Sequence, residues 1–166
     1  MSKNPVAIYV LLLLLQIVLS HLFQTGPLLV LTLLPVMLLG LPAEWSTFRC
    51  MVVAFFSGLA VDLMADGLVG LNAFALLPVA YIRRFLMKKS FSEELVERGG
   101  RLSGRKWGWR PFLLCILLNT ALFLLLYVTV DAAGERSFLF NLESFVLSLA
   151  ADTVLAVPVL SLYLEK

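Results

Sequence analysis

Apolar residues run along this chain in long blocks separated by short polar breaks, not as the spaced stripe of a soluble amphipathic helix. A membrane-crossing helix needs about 17–25 mostly apolar residues. On that measure the blocks predict spans at 6–23, 27–41, 48–65, 68–87, 112–130 and 145–164. The second block is short and carries Pro35 near its middle, so it reads as a kinked or tilted span or as a re-entrant segment. The first block reads as a retained helix. Its apolar stretch exceeds the 7–15 residues of a signal-peptide core, and no A-x-A-like site follows it. The expected architecture is an all-α integral membrane protein: one polytopic domain over residues 1–166, built as a bundle of about six transmembrane helices.

Composition agrees with that pattern. Of 166 residues, 61% are hydrophobic and the mean hydropathy is +0.97, which excludes a soluble domain of ordinary make-up. Charge then orients the spans. With six crossings and an internal N-terminus, Lys3, Arg49, Lys166 and the nine basic residues from Arg83 to Arg110 lie on the cytoplasmic side, leaving only Arg136 outside. The positive-inside rule therefore places both termini in the cytoplasm, and Trp45, Trp107 and Trp109 fall at the same boundary. A re-entrant second segment would instead move Lys3 outside. The basic loop 88–110 is the one sizeable polar stretch. Within it, residues 91–98 suit a short helix capped by Ser92 and stopped by Gly99 and Gly100. Its charge suits anionic headgroups, or follows from topology alone. Membrane lipid is the expected surface partner and nucleic acid is not. Asp66, Asp131, Glu135 and Glu143 mark short external turns, and Cys50 and Cys115 fit as small buried hydrophobes.

Catalytic chemistry finds little support. The string Glu93-Glu94-Leu95-Val96-Glu97-Arg98 matches the EExxxR pattern of CPBP-type intramembrane proteases. That family needs histidines on other helices, and this chain has His21 alone. Zinc spacing, a nucleophile elbow, a P-loop and a dinucleotide fingerprint are absent from the sequence, so no catalytic residue, metal or cofactor is expected. More informative is a set of polar residues inside apolar blocks: Gln16, Asp62, Asn72, Asn119 and Asp152. An ionisable residue in a membrane segment is costly and usually faces the bundle interior or a cavity. These groups are suited to hydrogen-bonding one another across helices, and equally to lining a ligand cavity or proton path. Small residues (Ala54, Ser57, Gly58 and Ala60; Ala73, Ala75 and Ala80) predict close packing of the third and fourth spans. The leucine-rich first and second spans read as lipid-facing or as a dock for another helix.

The segment Gly58-Leu59-Ala60-Val61-Asp62-Leu63, followed by Gly70, Ala75 and Ala80-Tyr81, resembles the central signature of the rod-shape-determining membrane protein MreD family. That family pairs a G-x-x-x-D-L helix end with a glycine eight residues past the aspartate. An alanine comes five residues later, and Ala-Tyr closes the returning helix. Asn72 and Pro78 lie outside that pattern. The resemblance implies a non-enzymatic scaffold of the bacterial cell-elongation complex in the inner membrane. Such a scaffold binds the membrane helix of MreC and acts indirectly with MreB, RodA and a penicillin-binding transpeptidase in peptidoglycan synthesis and cell shape. It also implies a fold similar to the substrate-binding components of energy-coupling-factor (ECF) transporters. A small-molecule (vitamin) binding subunit of such a transporter is accordingly the alternative. Candidate structural or partner-binding residues are Gly58, Asp62, Gly70, Asn72, Ala75, Tyr81, Asn119 and Asp152.

Overall fold

The computed structural model describes residues 5–23, 28–42, 44–66, 68–90, 109–133 and 135–164. Among them all regular structure is helical: α1 (Pro5–Phe23), α2 (Leu34–Leu39), α3 (Thr47–Val61), α4 (Leu71–Ser90), α5 (Trp109–Ala132) and α6 (Phe138–Leu164). A π-helical turn, Asp62–Asp66, continues α3. Among the described residues three helical stretches are long and apolar enough to cross a membrane: Thr47–Ala65, Arg110–Ala132 and Phe138–Val159. Val6–Leu22 in α1 is apolar but shorter. Helix α4 has 20 residues, and Arg83, Arg84, Lys88 and Lys89 load its C-terminal part with charge. The chain is thus an all-α protein with the makings of a membrane protein. Most of the expected loop 88–110 (residues 91–108) lies outside the described residues, and with it the 91–98 helix, the Glu93–Arg98 string and Trp107.

Local sequence explains several boundaries. Ser46 caps α3, its hydroxyl accepting the Arg49 N–H at 3.4 Å. Pro35 falls in the first turn of α2, where a missing N–H costs nothing, so it starts a helix instead of kinking one. Helices α3 and α4 form the most closely packed pair, with Ala54, Ser57, Gly58, Ala73, Ala75 and Ala80 buried along the hairpin.

The second block departs from expectation. It is neither a continuous helix nor turned to lipid: residues 28–33 are unwound, and 32–41 form an unbroken buried run. Leu33, Leu34, Met37 and Leu38 pack with Cys50, Ala54, Leu76, Val79, Phe123 and Leu124 in the largest core cluster. Hydropathy cannot separate these cases, because a leucine is equally at home against lipid or against another leucine. What the unwound backbone does require is polar partners from elsewhere in the bundle. Helix α1, by contrast, turns Val6, Leu11, Leu14, Val18 and Leu22 outward.

Candidate functional site

Asp62 is buried at the end of α3, and both of its carboxylate oxygens are occupied. Oδ1 accepts the Asn72 backbone N–H at 2.9 Å and the Asn72 side-chain amide at 3.0 Å. Oδ2 accepts the backbone N–H groups of Gly70 at 3.0 Å and Ala73 at 3.2 Å. A helix start leaves its first N–H groups without internal partners. At the start of α4 the count closes. Gly70, Asn72 and Ala73 donate to Asp62, Leu71 donates to the Leu68 carbonyl, and Phe74 opens the helical ladder on the Gly70 carbonyl. Asp62 is therefore the N-terminal cap of α4, supplied from the preceding helix, with its negative charge at the positive end of the α4 dipole.

Gly58 and Gly70 make this possible. Gly58 stands one turn before Asp62 on the same helix face. A Cβ there would lie 2.5 Å from the Ala73 backbone nitrogen and Cα, so only glycine lets the first turn of α4 come this close. Gly70 has φ +99°, a backbone state that glycine adopts at no steric cost and other residues rarely adopt. The spacing of Gly58, Asp62 and Gly70 is thus one device that docks two antiparallel helices end to end. Ala75 is buried farther along α4, while Tyr81 is 66% exposed on its outer face. Tyr9 ties α1 to the hairpin through a 2.8 Å hydrogen bond between its hydroxyl and that of Ser57.

Another polar set holds the unwound segment. Val30 N–H donates to Ser148 Oγ at 2.9 Å, Thr32 N–H to Asp152 Oδ1 at 2.9 Å, and Leu33 N–H to Gln16 Oε1 at 2.6 Å. Gln16 Nε2 returns a bond to the Leu31 carbonyl at 3.3 Å, and the Thr32 hydroxyl accepts the Leu34 N–H at 3.3 Å. Gln16 and Asp152 are therefore brought to one stretch of backbone, and neither is bonded to Asp62 or Asn72 in this arrangement. Past the C-terminal end of α2, Arg83 donates through Nη2 to the Leu41 carbonyl and, at 3.5 Å, to that of Pro42; its Nη1 lies 3.4 Å from Cys50 Sγ. A cation there meets the carbonyl end of α2, as the helix dipole favours. Asn119, buried on α5, turns its Nδ2 back to the Cys115 carbonyl of its own helix at 2.8 Å.

Arg83, Thr32 and Ser148 are the participants that sequence reasoning passed over. Arg83 was grouped with the cytoplasmic basic residues, yet it continues the apolar register of Leu76, Ala80 and Met87 on α4, whereas Arg84 is exposed. Ser144, Ser148, Asp152 and Ala156 recur every fourth residue and form the buried stripe of α6. Among the described residues no group of His, Cys, Asp or Glu comes together that could hold a metal ion.

Set against known protein families, curated proteins and solved structures, the chain matches none. Asp62, with every oxygen committed, can fix two helices but has nothing left with which to move a proton or hold a ligand. Asp152 differs, because its Oδ2 is buried without a hydrogen-bond partner.

Proposed function

We propose that the chain is a non-enzymatic membrane scaffold of the MreD type. In this reading it sits in the bacterial inner membrane with both termini cytoplasmic and binds the MreC membrane helix. Through MreC it acts with MreB, RodA and a penicillin-binding transpeptidase in cell elongation. The observation that carries the reading is that the Gly58, Asp62 and Gly70 elements of the resemblance form one capping device. Tyr81 and Leu63 are elements of that signature left exposed, and Tyr81, with a ring and a hydroxyl, is the residue suited to touch a partner.

A bundle of six crossings, similar to ECF substrate-binding components, is part of the same proposal. As a straight helix, 27–41 would be about 22 Å long at ~1.5 Å per residue, short of a hydrocarbon core of about 30 Å. With 28–33 unwound, at up to ~3.3 Å per residue, and 34–41 at the helical rise, residues 28–41 reach about 32 Å. It is then long enough to cross.

The test is co-purification of MreC with the tagged chain from a rod-shaped bacterium, with depletion scored by cell shape. Tyr81→Ala should accumulate at the normal level yet retain less than about a tenth of the MreC. Rods that stay normal without the protein would refute the scaffold. The alternative, a vitamin-binding subunit of an ECF-type transporter, is favoured by the unwound segment at the bundle centre, since broken membrane helices accompany substrate sites in transporters. A stoichiometric small molecule retained in native mass spectrometry would select it.

A further inference from the structure

Asp152 Oδ2, Asn119 Oδ1 and Thr120 Oγ1 are all buried side-chain oxygens with no hydrogen-bond partner. Each of the three residues is 0% exposed. Buried polar atoms are normally satisfied, so a group of them calls for an explanation.

These residues share a level in the bundle. Helices α5 and α6 are packed neighbours joined by a tight turn, in which Ala133 and Glu135 donate to the carbonyls of Val130 and Ala132. Asn119 and Thr120 lie about 20 Å before that turn on α5, and Asp152 about 20 Å after it on α6, at ~1.5 Å per residue. The unwound segment reaches the same level, since its Thr32 N–H donates to the other oxygen of Asp152. Helix α2, which continues that segment, packs against both α5 and α6.

The chemistry of the group is uniform. It comprises a carboxylate, an amide oxygen and a hydroxyl, with the unwound segment brought to the carboxylate by the Thr32 N–H. Hard oxygen donors of this kind suit alkali and alkaline-earth cations over softer metals. One carboxylate supplies one negative charge, and a buried charge without a counter-charge is strongly unfavourable. Arg83 is engaged past the far end of α2, on Leu41 and Pro42. A monovalent ion balances the charge where a divalent one would overshoot. In membrane bundles, unwound backbone is also where coupling ions are coordinated.

We propose that Asp152, Asn119 and Thr120, with carbonyls of the unwound segment, form a binding position for a single alkali-metal cation, for which sodium is the probe. The bound ion ties α5, α6 and the unwound segment into one packed state. The proposal stands apart from MreC binding, and its test involves no partner.

The full chain, purified in detergent, is melted in sodium, potassium and choline chloride at matched ionic strength. Ligand that binds only the folded state raises the melting temperature with concentration. Sodium or potassium should raise it by several degrees over choline in a saturable manner. Thr120→Val should move the midpoint of that titration about tenfold higher. Asp152→Asn, which keeps an oxygen for the Thr32 N–H, should remove the ion-specific rise, and Asp62→Asn should retain it. Equal melting in all three salts would overturn the proposal and leave water as the partner of these oxygens. So would an ion-specific rise that survives both Asp152→Asn and Thr120→Val.

Discussion

Two regions of this bundle solve the same problem, backbone N–H groups with no helical partner, in opposite ways. At the turn between α3 and α4, one side chain does most of it: Asp62 accepts three backbone N–H groups and the Asn72 amide, leaving Leu71 to the Leu68 carbonyl. Along the unwound segment the work is divided among Gln16, Ser148, Asp152 and Thr32, which come from three different parts of the chain. The first solution is local and saturated. The second is distributed and leaves an oxygen of Asp152 over. A saturated carboxylate is a structural member, whereas an unsaturated one is where binding is to be sought.

The contrast predicts a graded response to substitution. Asp62→Leu has the largest effect, because it strands four donors in the interior, each unsatisfied buried group costing about 1–3 kcal/mol. The variant should fail to accumulate in membranes. Gly58→Leu should behave alike, since the added side chain drives the first turn of α4 off α3. If Gly58→Leu accumulates normally, the close-approach role is wrong. Gln16→Leu comes next. It removes the acceptor of the Leu33 N–H and the donor to the Leu31 carbonyl, while Ser148 and Asp152 still hold the segment. Thermal unfolding in detergent should show a loss of about 2 kcal/mol. Gly70→Ala should be smallest. No atom lies within 4 Å of the added Cβ, so the cost is conformational, about 1–2 kcal/mol for a left-handed backbone.

The same contrast explains what could be read in advance. The Asp62 device closes over residues 58–73, so its geometry is written in one short stretch: hydropathy singles out Asp62, the small-residue pattern singles out Gly58, and the family resemblance adds Gly70. The unwound segment is different. Its partners lie 17 residues away in the case of Gln16 and 120 in the case of Asp152, and no local pattern reports such a pairing. Leucines at 33, 34, 38 and 39 gave no warning, because burial among helices and exposure to lipid select the same side chains. Clues were nevertheless present: Thr32, Pro35, Gly40 and Pro42 crowd a block too short to cross as a helix. Arg83 lies on the apolar register of α4, and Ser144, Ser148 and Asp152 line up every fourth residue on α6.

The division between a saturated and an unsaturated carboxylate is tested most directly by amide hydrogen exchange of the full chain in detergent micelles, comparing Asp62→Asn with Asp152→Asn. An amide at position 62 keeps one acceptor oxygen but turns donors toward N–H groups that need acceptors. The amides of Gly70, Asn72 and Ala73 should then exchange at least tenfold faster than in the unaltered chain. At position 152 the remaining oxygen serves the Thr32 N–H as before, so that amide should stay protected. Unchanged protection at Gly70, Asn72 and Ala73 in Asp62→Asn, together with lost protection at Thr32 in Asp152→Asn, would contradict the assignment of both residues.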